Sequence, residues 1–163
     1  MKIPLFCDVD GTLTDGTVSY PSRERRYHLR DGHSFELLKK HTNIIPHVIS
    51  GEDDISIVSR FDKLRVSVNV GVPNKYQFVR GVYWINDGYI AISDDIPDME
   101  LLEKATIAFC PADAEEEIKN IDGIIVLSRK GGDGCFREAV NMILSDKYIQ
   151  SKLPNLKVVQ QTK

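Results

Sequence analysis

The segment Asp8-Val9-Asp10-Gly11-Thr12 sets two carboxylates on alternate residues at the end of an apolar run, and a glycine turn follows at once. Like charges this close repel and raise one another's pKa unless a cation or a shared proton compensates. A second acidic pair, Asp94-Asp95, follows the apolar run 89–93. A hard cation such as Mg²⁺ suits these oxygens and keeps positions open for water and a phosphate. Ser50 and Lys75 stand on neighbouring loops as candidate partners for phosphate oxygens. The plainer reading of any single strand-end aspartate is a helix cap. Two acidic pairs on two strand ends, with a lysine, favour chemistry over capping.

These residues act together only if the fold brings them to one edge. Residues 3–9, 46–50, 66–70, 89–93, 107–110 and 124–128 read as strands. Residues 34–41, 53–64, 75–85, 98–104, 114–120 and 136–148 read as helices, the third interrupted by Gly81. Runs 17–20 and 26–29 flank Pro21-Ser22-Arg23 and predict a protruding β-hairpin. Strands separated by helices imply an α/β fold with a doubly wound parallel sheet. Asp8, Ser50 and Asp94 then all fall at C-terminal strand ends, where ligands bind in such sheets. Residues 1–150 are expected to form a single domain, with 151–163 as a tail that is frayed or docked.

The chain has 163 residues, with 21 Lys and Arg against 24 Asp and Glu and a formal charge of -3. That balance argues against a nucleic-acid partner or an anionic membrane surface. No apolar run approaches the roughly 18 residues of a membrane span, and no signal peptide is readable. Cys7, Cys110 and Cys135 are odd in number and scattered, as expected of reduced thiols in a cytoplasmic setting. His28, His33, His41 and His47 show no metal-ligand spacing. They read as structural or surface residues, with pocket lining an alternative for His33. Tyr83-Trp84 reads as packing rather than a sugar-stacking platform.

Asp8-x-Asp10-Gly11-Thr12, Ser50, Lys75 and Asp94-Asp95 resemble, in order, the four motifs of the haloacid dehalogenase phosphatase superfamily. The resemblance implies that Asp8 attacks phosphorus to form an aspartyl-phosphate, splitting one hard hydrolysis into two displacements. It implies that Asp10 protonates the leaving oxygen and then deprotonates the attacking water. Mg²⁺ would be held by the Asp8 carboxylate, the Asp10 carbonyl and Asp94, with Asp95 supporting through water. Ser50 and Lys75 would hold the phosphoryl oxygens. Thr12, set among the substrate-binding residues, would orient the Asp10 loop, and Asp98 would orient Lys75.

The segments 15–50 and 51–75 leave no room for a cap domain, so the pocket takes a large substrate or a lid from a neighbouring subunit. Thr17-x-x-Tyr20, Arg30-Asp31-Gly32-His33, Pro111-Ala112-Asp113-Ala114 and the stretch from Gly131-Gly132 to Arg137-Glu138 resemble the capless phosphatases of eight- and nine-carbon keto-sugar acids. That resemblance implies a homotetramer in which a neighbour covers each site. Arg23, Arg25 and Arg26 form a basic hairpin tip compatible with such a contact, or a solvated turn. Arg30 and Arg137 are candidates for a substrate carboxylate, since guanidinium forks match it. Glu52 resembles the nonulosonate 9-phosphate enzymes rather than the octulosonate 8-phosphate ones, although an acidic residue there also suits a helix N-terminus. Three departures stand out: a short 75–94 segment, Ser93 in place of the customary Gly, where it is expected to crowd the loop near the metal, and Asn74 in place of Asp. The alternatives are a nucleotide or polynucleotide 3′-phosphatase and a non-catalytic tetramerisation module.

Overall fold

The computed structural model describes residues 1–159. Six strands make one parallel sheet: β1 (Ile3–Cys7), β2 (Ile44–Ile49), β3 (Ser67–Asn69), β4 (Ile90–Ile92), β5 (Ile107–Cys110) and β6 (Ile125–Val126). Between and after them run α1 (Leu29–His41), α2 (Ile55–Lys63), α3 (Lys75–Val82), α4 (Met99–Glu103), α5 (Glu116–Lys119), α6 (Cys135–Ser145) and α7 (Lys147–Lys152). Successive strand residues face opposite sides. Ile3, Leu5 and Cys7 therefore enter a core with Phe35 of α1, Phe61 of α2 and Phe136 of α6. Phe6 enters the other core, with Val79 of α3, Leu101 of α4 and Ile118 of α5. Helices cover both faces, which is why the strands read as continuous apolar runs. The sheet is the doubly wound parallel α/β type expected.

The strand order is β3-β2-β1-β4-β5-β6. It reverses direction between β1 and β4, the two strands that deliver Asp8 and Asp94. Loops diverge at such a point and leave a crevice. The register is set by Cys7 opposite Ile92, and the Asp8 N–H donates to the Ile92 carbonyl at 3.0 Å. Helix starts fix the neighbouring loops. Asp54 caps α2 by accepting from the Ser56 N–H at 2.9 Å, and Asn74 caps α3 by accepting from the Gln77 N–H at 3.0 Å. Asn74 thus does the capping work an Asp would do and starts the helix directly at Lys75.

The predicted hairpin is not formed. Residues 17–28 carry no strand, and their internal pairing is confined to Ser19 N–H donating to the Glu24 carbonyl and Arg23 N–H donating to the Ser19 carbonyl. Pro21 offers no N–H for a ladder, and Arg25 turns inward instead of pairing. Helix α1 begins at Leu29, earlier than predicted, so Asp31 lies in its first turn, where the helix dipole favours acid. The last predicted helix breaks at Asp146, whose carboxylate caps α7 by accepting from the Tyr148 N–H at 2.8 Å.

The tail is docked through Val159. Asn43 Nδ2 donates to the Asn155 carbonyl at 2.8 Å, Lys157 N–H donates to Asn43 Oδ1 at 2.7 Å, and Val158 bridges Thr42. This places it at the N-terminal edge of the sheet, opposite the crevice. The rest of the tail, 160–163, lies outside the described residues. Among the described residues no helix is long and apolar enough to cross a membrane.

Candidate active site

Asp8 emerges from β1 with its carboxylate largely covered, and Lys75 donates to its Oδ1. The same ammonium donates to Asp98 Oδ2 at 2.6 Å, so the expected pairing of Lys75 with Asp98 is present. Ser93 follows β4, directly before the acidic pair. It is buried, and its hydroxyl donates to the same Asp98 oxygen at 2.5 Å. Burial pushes the Asp8 carboxyl well above the usual carboxylate range, against the pull of Lys75. Burial pulls the Lys75 pKa down, but Asp8 and Asp98 overcome it and raise it above the usual lysine value.

Gly11 makes the close approach of the two acidic loops possible. Its φ is +90°, and a Cβ there would fall 2.0 Å from Asp94 Oδ2. Thr12 donates to Asp94 Oδ1 at 2.9 Å and is itself fully buried. It therefore positions Asp94 and does not line the cleft of Asp8, which corrects its place among the substrate-binding residues. Asp94 sits behind this turn, where burial raises its carboxyl pKa against the Thr12 hydrogen bond.

Asp8, Asp10, Ser50, Glu52, Lys75, Asp95 and Asp98 line one open cleft of about 220 Å³. Ser50 is fixed by its N–H on the Asn69 carbonyl at 2.9 Å, and its Oγ accepts from the Glu52 N–H at 3.1 Å. Glu52 stands exposed at the rim. Asp95 accepts from the Ile96 N–H at 2.7 Å and caps the 3₁₀ turn Ile96–Asp98.

Arg30 and Arg137 do not join this cleft. They line a separate surface cleft with Arg129 and Glu138, so within one chain they are corrected as partners of a substrate held at Asp8. Arg137 Nε donates to Asn141 Oδ1 at 3.0 Å, and its N–H donates to Asp31 Oδ1 at 2.7 Å. His33 lies beside Arg137, also away from the cleft. Tyr83 packs on Phe6 and His47, while Trp84 is exposed and donates to Asp87.

Two features escaped the sequence reading. Arg25, read as part of a basic tip, is buried, with 2 % side-chain exposure, and binds Asp10 through Nε to Oδ1 at 2.7 Å and Nη2 to Oδ2 at 3.1 Å. Its Nη1 donates to Asp54 Oδ2 at 2.7 Å. The signal was the alternation of Arg23, Arg25 and Arg26: in extended backbone Arg25 faces opposite to Arg26, whose side chain is 92 % exposed. The second feature is Gly131, where a Cβ would lie 1.9 Å from the Gly11 carbonyl oxygen. With Gly132 N–H donating to the Thr12 carbonyl and Gly131 N–H to Asp113 Oδ1, this loop braces the catalytic turn.

The cleft carries five carboxylates, Asp8, Asp10, Glu52, Asp95 and Asp98, against the one ammonium of Lys75. A phosphate dianion enters such a site only with added positive charge. Among the described residues no three His, Cys, Asp or Glu side chains form a ready cage for a metal ion. Asp8 and Asp94, brought together at the ends of the adjacent strands β1 and β4, fit Mg²⁺, which binds through one or two carboxylates and keeps waters for the substrate phosphate.

No protein-family model matches the chain. Over 149 residues it is 32 % identical to the 3-deoxy-D-manno-octulosonate 8-phosphate phosphatase KdsC of Haemophilus influenzae, covering 86 % of this chain and 81 % of that protein. The cobalt-bound deoxy-D-mannose-octulosonate 8-phosphate phosphatase from Haemophilus influenzae superposes with a TM-score of 0.79 at 28 % identity, covering 93 % and 91 % of the two chains. The Moraxella catarrhalis 3-deoxy-D-manno-octulosonate 8-phosphate phosphatase, in complex with magnesium, phosphate and KDO, superposes with a TM-score of 0.81. At 22 % identity, over 92 % and 90 % of the chains, that last likeness is one of fold. The fold, the strand-end carboxylates and the 32 % identity agree: the chain is a phosphatase and belongs to the family of the 3-deoxy-D-manno-octulosonate 8-phosphate phosphatase KdsC.

Proposed function

We propose that the chain is a Mg²⁺-dependent phosphomonoesterase that cleaves the terminal phosphate from an eight- or nine-carbon keto-sugar acid through an aspartyl-phosphate on Asp8. The observation that carries the proposal is the convergence of Asp8, Asp10, Ser50 and Lys75 on one cleft at the β1/β4 switch point. In the first step an Asp8 oxygen bonds to phosphorus while the leaving alkoxide takes a proton from Asp10. In the second, Asp10 takes a proton from water, the water oxygen bonds to phosphorus, and Asp8 is released with inorganic phosphate. Lys75 and Ser50 hold the phosphoryl oxygens through both steps. Mg²⁺ bound by Asp8, the Asp10 carbonyl and Asp94, with Asp95 through water, would supply the positive charge that the carboxylate-rich cleft lacks.

The substrate class follows from the relatives' named substrate and the open, capless cleft. Glu52 at the rim inclines the proposal to the nine-carbon acids, because an acidic residue here resembles the nonulosonate 9-phosphate enzymes, and its carboxylate would accept hydrogen bonds from sugar hydroxyls. The homotetramer belongs to the same proposal: Val18, Tyr20 and Leu29, at the two ends of the 17–29 segment, are apolar and exposed and gain from a neighbour's cover. A cytoplasmic location accords with three buried free cysteines.

The test is phosphate release, with Mg²⁺, from octulosonate 8-phosphate, nonulosonate 9-phosphates, hexose phosphates, nucleotides and a 3′-phosphorylated oligonucleotide, beside Asp8→Asn. Selective turnover of one keto-acid phosphate, lost in Asp8→Asn, supports the proposal. Preference for the oligonucleotide overturns the substrate assignment and leaves the chemistry standing.

A further inference from the structure

Asp10 has two proton tasks, and its carboxylate is held from behind by an arginine that lies outside the cleft. Arg25 comes from the 17–28 loop, its side chain is 2 % exposed, and it does not line the cleft that Asp10 lines. Its Nε and Nη2 take one Asp10 oxygen each, while Thr14 Oγ1 donates to Asp10 Oδ1 at 3.2 Å. Its remaining nitrogen, Nη1, is tied to Asp54 Oδ2, and Asp54 is in turn fixed as the cap of α2. Two-point contact to a planar carboxylate sets its rotation as well as its place, which a single ammonium cannot do.

We propose that Arg25 is the positioning residue for Asp10, clamping the acid/base carboxylate between the 17–28 loop and the start of α2 at the cleft it shares with Asp8. The inference rests on the role given to Asp10 above. Because the guanidinium does not line the cleft and its nitrogens are taken by Asp10 and Asp54, Arg25 acts on the reaction through the Asp10 carboxylate and not on the substrate. The loop that reads as a protruding arm in the sequence is thereby tied to the catalytic turn. Any movement of the loop that withdraws Arg25 also releases Asp10.

The test is a double-mutant cycle on the full chain with Mg²⁺ and octulosonate 8-phosphate: wild type, Arg25→Met, Asp10→Asn and the double variant. A misplacement of about 1 Å in a catalytic group costs on the order of 100-fold. Arg25→Met is therefore expected to lower kcat about 100-fold with KM within twofold, and Arg25→Lys to fall between it and wild type. In the Asp10→Asn background Arg25→Met is expected to cost nothing further. Full activity of folded Arg25→Met, or the same fold loss in both backgrounds, overturns the proposal. If Arg25→Met does not fold, Arg25→Lys carries the same cycle with the same criteria. If Asp10→Asn alone keeps wild-type turnover, the role of Asp10 falls, and the clamp falls with it.

Discussion

Replacing His47 with Phe should remove an acid-sensitive element of stability. His47 lies on β2 with its ring stacked on Phe6 at 5.6 Å between centroids and tilted against Tyr83 at 4.4 Å. Its Nδ1 is buried without a hydrogen-bond partner. Burial lowers its pKa to about 4, against about 6.5 in an unfolded chain. Between those values the unfolded state binds the extra proton, so stability is present above about pH 6.5 and is lost as pH falls. The loss works out at about 2 kcal/mol by pH 5 and about 3 kcal/mol by pH 4. In the metal-free protein Asp8 and Asp94 act with the opposite sign, because burial raises their carboxyls and favours the folded state at lower pH, and bound Mg²⁺ would counter that shift. Absolute stability curves therefore mix the two effects, whereas the difference between wild type and His47→Phe isolates the imidazole. Urea unfolding at fixed Mg²⁺ from pH 7.5 to 4 reads it directly. The variant should gain on wild type by about 3 kcal/mol across that range, whatever its offset at pH 7.5. A pH-independent difference, or a variant that loses ground toward acid, refutes the reasoning.

Three further outcomes follow from the site. Gly11→Ala forces a side chain to φ +90° and against Asp94 Oδ2, so it should cost about 1–3 kcal/mol from backbone strain and displace Asp94. A lowered Tm together with a raised Mg²⁺ requirement in the phosphate-release assay would show both effects. Lys75→Met leaves Asp8 and Asp98 facing each other without their shared ammonium, and should cost about 3–5 kcal/mol of stability. Its kcat should fall on the order of 100- to 1000-fold, measured at saturating substrate. Thr12→Val keeps the shape of a fully buried side chain but removes the donor to Asp94 Oδ1. It should cost about 1–3 kcal/mol and weaken Mg²⁺ activation with the substrate KM unchanged, as titration with the metal would show.

The parts of this site that lie close together in sequence, or at the ends of apolar strands, were readable. Asp8, Asp10, Asp94 and Asp95 follow β1 and β4, and strand-end placement in a parallel sheet brings them to one edge by topology alone. Lys75 was readable from its place in the order of motifs, and the structure adds that Asn74 caps the helix that it begins. What stayed hidden depends on where a loop folds back. Arg25 looks like any charged turn residue until Asp10 and Asp54 are seen to enclose it, and the same ion pairs draw residues 17–28 away from the hairpin that their composition suggested. Gly131 stands in a stretch that resembles the capless phosphatases, but its bracing of the Gly11 turn stays hidden because the contact spans most of the chain. Arg30 and Arg137 carried suitable chemistry but stand on α1 and α6, which meet each other on one face of the sheet, away from the crevice. Residue type alone does not tell a guanidinium that faces a ligand from one that faces another helix.

The most direct test of the account is to find the covalent intermediate. The chain, mixed with Mg²⁺ and octulosonate 8-phosphate and quenched in acid within a turnover, should carry a phosphoryl group on the peptide that contains Asp8. The label should be absent in Asp8→Asn, and it should persist in a variant whose Asp10 no longer activates water, provided a leaving group that needs no proton is used. A phosphoryl group on another residue, or undiminished phosphate release by Asp8→Asn, would contradict the account.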